Sequence, residues 1–107
     1  MASNIIGVAI SKNNVKIRLT TERWYHVSEN HCELAGSAFQ VLESIEAPDL
    51  IIKGLSGELL SLKEINKRYL VVIYRETNKD GFIITAFYTI HLKQLLRKRK
   101  IIWPKKH

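Results

Sequence analysis

The chain has 107 residues, 46% hydrophobic and 25% charged, which suits one folded domain and excludes a disordered chain. A single cysteine, Cys32, excludes an intramolecular disulfide and a metal site built from cysteines. The net charge is +7, and Lys93–His107 accounts for all of it: seven of the 17 Lys/Arg lie there with no Asp/Glu, leaving ten basic against ten acidic residues elsewhere.

In chain order, Met1–Ile10 lacks a basic leader followed by a long apolar stretch, and runs such as Tyr69–Tyr74 are far too short to span a bilayer. A cytoplasmic protein with no membrane partner is expected. Gly7–Ile10 and Val15–Thr20 alternate around Lys12-Asn13-Asn14, predicting a hairpin extension over residues 1–20. Thr21-Glu22 reads as a helix start, with Trp24, Val27 and His31 on one face and Arg23, His26 and Asn30 on another. Asn30 to Glu33 has capping-box spacing. Leu34, Ala38, Val41, Leu42 and Ile45 then predict one helix running to Pro48.

Four strands are expected next: Asp49–Lys53, Glu58–Ile65, Tyr69–Glu76 and Phe82–Thr89, the last after the turn Asn78-Lys79-Asp80-Gly81. Short connections make them antiparallel neighbours. Residues 91–107 form a basic helix and tail, with a helix over His91–Arg99 packed by Leu92, Leu95 and Leu96. The expected fold is a single α+β domain over 1–107: N-terminal helices on a roughly four-stranded antiparallel sheet, with a basic C-terminal helix.

Walker, dinucleotide, nucleophile-elbow and zincin motifs do not occur. His26 and His31 are five apart, about 140° on a continuous helix, so they do not chelate one metal there; neither a metal nor a cofactor is expected. The residues fit metal-free RNA cleavage, in which a base takes the 2′-hydroxyl proton, an acid protonates the leaving 5′-oxygen and a cation steadies the phosphate. Each candidate also has a plain structural role. His26 suits an exposed helix position and His31 a helix end. Lys63 suits a solvated strand face, and Thr85 any strand.

Arg23-Trp24-Tyr25-His26-Val27, His31-Cys32-Glu33, Gly57-Glu58-Leu59-Leu60, Tyr69–Glu76 and Asp80–Phe87 together resemble small bacterial and phage proteins of the Barnase–EndoU–colicin–RelE-like group. The resemblance runs from about Thr20 to Trp103. It implies a metal-independent ribonuclease, often a toxin, with His26, His31, Lys63 and Thr85 at the matching catalytic positions. Cys32 departs from the His-Pro-Glu run usual in that group.

The resulting expectation is an endoribonuclease of a toxin–antitoxin or phage-conflict system. RNA would be held by Arg23, Arg75, Lys93, Arg97, Lys98, Arg99 and Lys100 through phosphate contacts, and an acidic antitoxin would be the protein partner. The alternative is a non-catalytic nucleic-acid-binding or protein-interaction module.

Overall fold

The structure, a computed structural model, describes residues 4–78 and 80–104; Lys79, Lys105 and Lys106 of the sequence expectations lie outside them. Strands β1 (Ile5–Ile10) and β2 (Lys16–Thr20) pair antiparallel around a turn that has Asn14 at φ 64°. Thr20 closes β2 and caps helix α1 (Thr21–Asn30), its Oγ1 accepting from the Arg23 N–H at 3.1 Å.

The helix expected from Asn30 to Pro48 is broken. Asn30 is the last residue of α1, a 3₁₀ turn spans Cys32–Leu34 without a side-chain cap, and α2 runs Ala38–Glu46. Gly36 sits between them at φ 82°, a conformation that glycine adopts without the steric cost other residues meet. Leu34, Val41, Leu42 and Ile45 still reach one core, because both pieces pack on the same side.

Strands β3 (Leu50–Lys53), β4 (Leu59–Ile65), β5 (Arg68–Glu76) and β6 (Asp80–Thr89) form an antiparallel meander. The helix of the basic tail is only α3 (Leu92–Leu96), and the chain then enters β7 (Ile101–Trp103) beside β3.

The expected architecture is therefore corrected. The sheet is mixed and has seven strands in the order β1-β2-β6-β5-β4-β3-β7, and 44% of the described residues are in strands. The N-terminal hairpin is no extension, since Lys16–Arg18 pair in parallel with Asp80–Phe82 and Ile17 and Leu19 are fully buried. The three helices are short accessories to a strand-rich molecule.

The sheet has a coat on each face. Leu70, Val72 and Tyr74 of β5 point to the first face, where Val27 of α1, Leu34, and Val41 and Ile45 of α2 complete the main core. Val71 points the other way, into a smaller cluster with Ile52, Leu60 and Leu62 that Leu92, Leu95 and Leu96 cover. Each fully buried aliphatic side chain contributes roughly 1.5–3 kcal/mol by leaving water, so the larger first-face cluster carries most of the stabilisation. No helix among the described residues is long and apolar enough to cross a membrane.

Candidate functional site

Strand alternation separates the expected catalytic residues. Lys63 on β4 pairs with Leu70, a first-face core residue, whereas Thr85 on β6 pairs with Ile73, on the second face. Successive side chains of a strand point to opposite faces, and β4 and β6 stand two strand spacings apart, ~10 Å. The sheet itself lies between the two groups. Lys63 is also engaged: its Nζ donates to the Ala47 carbonyl at 2.7 Å, placing a cation at the C-terminus of α2, where the helix dipole favours it.

His26 is exposed on α1 and meets the ring of Tyr25 edge-on at 5.9 Å. Arg23 is exposed on the same helix. His31 ends α1; its half-buried ring lies 6.1 Å from the Phe87 ring, and its Nδ1 is 3.7 Å from the Glu33 carboxylate. Phe87 and Thr85 are alternate residues on one face of β6, so His31 and Thr85 belong to the same flank of the sheet.

The expected RNA-binding residues divide along the tail. Arg75, at the far end of β5, donates from Nη2 to the Ser56 carbonyl at 3.1 Å. Arg99 lies near it, since both charges act on Glu58. The Lys53 N–H donates to the Lys100 carbonyl at 2.9 Å. The tail thus leaves the Thr89 end of β6 with Lys93, crosses the second face through α3 and continues through Arg97 and Lys98 to Arg99 and Lys100 near the β3–β4 turn.

The concave surface lies where β5 begins and β6 ends. A solvent-open pocket of about 460 Å³ is lined by Glu33, Arg68, Tyr88, Thr89, Ile90 and His91. The Arg68 guanidinium stacks over the Tyr88 ring, 3.7 Å from its centroid, a cation–π contact that fixes a flexible side chain. Arg68 is held there because Asn66 and Lys67, at φ 53° and 68°, make the tight turn from β4 into β5. The His91 N–H donates to Thr89 Oγ1 at 3.0 Å, setting the backbone as it leaves the sheet. A second pocket of about 430 Å³ adjoins the first, sharing Ile90 and His91 and adding Leu92, Lys93 and Gln94.

One expected residue thus meets four unexpected ones. Glu33, read from the sequence as a capping acid, lines the pocket, and His31 stands beside it; Arg68, Tyr88 and His91 complete the set. Arg68, Tyr88 and His91 carried no signal in the sequence, because the strand ends that bring them together meet only in the folded sheet. Among the described residues no group of three or more His, Cys, Asp or Glu is arranged to hold a metal ion. No family model matches the chain, and no curated protein or solved structure matches it at a level that establishes kinship.

Proposed function

We propose that the protein is a metal-independent endoribonuclease whose chemistry is centred on the pocket of Glu33, Arg68 and His91. One observation carries this reading: a carboxylate, an imidazole and a guanidinium line a single open cavity. Ionised Glu33 is an acceptor and suits the base that takes the ribose 2′-hydroxyl proton. The freed oxygen attacks phosphorus, the bond from phosphorus to the 5′-oxygen breaks, and protonated His91 gives its proton to that leaving oxygen. A 2′,3′-cyclic phosphate and a 5′-hydroxyl result. Arg68, held by Tyr88, is a fixed donor for the non-bridging phosphate oxygens. His31 is the positioning partner of Glu33.

In this reading the protein acts as a toxin in a toxin–antitoxin or phage-conflict system, and an acidic antitoxin covers Lys93–Lys100. The test uses purified protein and total RNA in EDTA. Wild type cuts, and His91→Ala and Arg68→Ala, both surface substitutions, lose at least about 100-fold, the usual scale of acid–base catalysis. His26→Ala separates this site from the one expected from sequence: it cuts at the wild-type rate if the pocket is the site. Intact RNA at high wild-type concentration overturns the proposal.

A second reading, a non-catalytic nucleic-acid-binding module, has its own observation. Arg75, Arg99 and Lys100 lie by the β3–β4 turn, whereas the pocket residue Arg68 lies seven residues before Arg75 along β5. RNA binding that depends on those cations, with no turnover in any assay, would select it.

A further inference from the structure

We propose that the two adjoining pockets are subsites for two successive, unstacked nucleotides of a single-stranded RNA, with Ile90 as the wedge between their bases and the linking phosphate beside His91. The proposal rests on the reading of this region as a ribonuclease site. It adds the form of the substrate and a residue outside the acid–base set.

The geometry supplies three observations. First, the cavities are nearly equal, about 460 and 430 Å³, and they share only Ile90 and His91. Both are open to solvent, with volumes in the range of small-ligand sites, ~300–1,000 Å³, and the pair suits two similar units of one polymer better than a single compact molecule. Second, Ile90 is 71% exposed. A large β-branched side chain gains nothing from water there; it lines both pockets, and its χ1 freedom is restricted. Apolar wedges of this kind part neighbouring bases. Third, each pocket offers its own contacts. In the first, the Arg68 guanidinium is held over the Tyr88 ring, and guanidinium and aromatic planes are the surfaces on which unpaired bases stack. In the second, Lys93 and Gln94 offer a cation and an amide.

A base pair cannot satisfy this arrangement, because its two bases belong to opposite strands and remain stacked on their neighbours. RNA with splayed bases can. Ile90 therefore determines specificity without taking part in proton transfer.

The experiment uses a short RNA with 2-aminopurine at one position, either single-stranded or annealed to its complement. In EDTA, wild type is expected to cut the single strand at least about tenfold faster than the duplex, the scale of one lost base stack. With His91→Ala, which binds without cutting, 2-aminopurine fluorescence rises as the base leaves its neighbour. The rise disappears in His91→Ala/Ile90→Ala. Equal cutting of single strand and duplex overturns the two-subsite proposal and leaves the ribonuclease reading standing. If neither form is cut, the ribonuclease reading falls, and the fluorescence rise alone decides the subsites: its absence, or its survival without Ile90, overturns them.

Discussion

At the level of single residues, the charged groups outside the pocket serve local structure, and Glu58 makes the case measurable. It stands at the neck of the β3–β4 turn, where its Oε1 accepts from the Ser56 N–H at 2.8 Å. Its own backbone N–H and that of Ser56 hold the carboxyl below the ordinary glutamate pKa. Burial opposes this slightly, and Arg75 and Arg99 lower it further. A carboxyl whose pKa is lower folded than unfolded stabilises the fold above the unfolded value, and this contribution is lost as pH falls through the folded one. Glu58→Gln should therefore melt below wild type at neutral pH, and the gap should close on acidification below about pH 4. A gap that stays constant across that range would remove the ionic contribution. Lys63 teaches the same lesson about legibility. Its position on a strand was plain in the sequence, and Pro48 marked the end of α2, but its bond to Ala47 depends on how α2 packs beside β4, which no local pattern encodes. His31 was legible as a candidate, whereas Glu33 read only as a capping acid. Arg68 and His91 were not legible, because the two strand ends that bring them together are joined only in the folded sheet.

Among the elements, local signals succeeded and long-range pairings did not. The meander β3–β6 could be read because tight turns with Gly or Asn separate its β-branched runs, and antiparallel neighbours follow from short connections. The hairpin β1–β2 was readable as a hairpin, but its parallel seat on β6 was not: Lys16 and Asp80 are joined by most of the chain, and parallel pairing leaves no turn signature. Gly36 hid the break before α2, since the apolar spacing continues across it. One consequence concerns β1, the outermost strand, whose run Ile5–Ile10 has no charged residue, while Ile6, Val8 and Ile10 are exposed. Such an edge invites pairing with other chains. A register shift between Ile5 and Gly7 disturbs it, and the Ile10 N–H, directed away from β2, is taken by the Glu46 carboxylate at 2.9 Å. Glu46→Ala should cost about 1 kcal/mol in urea unfolding, the scale of one partly exposed hydrogen bond. It should also make sedimentation more concentration-dependent than in wild type. Unchanged sedimentation would mean that the register shift alone protects the edge.

For the whole molecule, the decisive feature is how charge is distributed over a neutral body. The five basic residues from Lys93 to Lys100 are not an appendage: α3 is fastened to the second face by Leu92, Leu95 and Leu96, and β7 is fastened to β3. The path they mark begins at the paired pockets with Lys93 and ends at the β3–β4 turn with Lys100. An RNA strand cut at the pockets would continue along this path, with phosphates meeting Arg97, Lys98 and Lys100. Arg99, whose charge acts on Glu58, is left in place in the test below. Phosphate contacts release counterions, so the logarithm of affinity falls with the logarithm of salt by ~0.7 for each phosphate neutralised on a single strand. Replacing Arg97, Lys98 and Lys100 together with Gln should flatten that slope by about two, and should weaken binding alike for unrelated sequences. Cleavage of a dinucleotide too short to reach the far end should be unaffected, because the reacting groups stay in place. Fluorescence anisotropy over a salt series, paired with dinucleotide turnover, separates the two functions. An unchanged slope would show that the strand leaves the pockets by another route. Lost dinucleotide turnover would show that the far cations act on the chemistry itself.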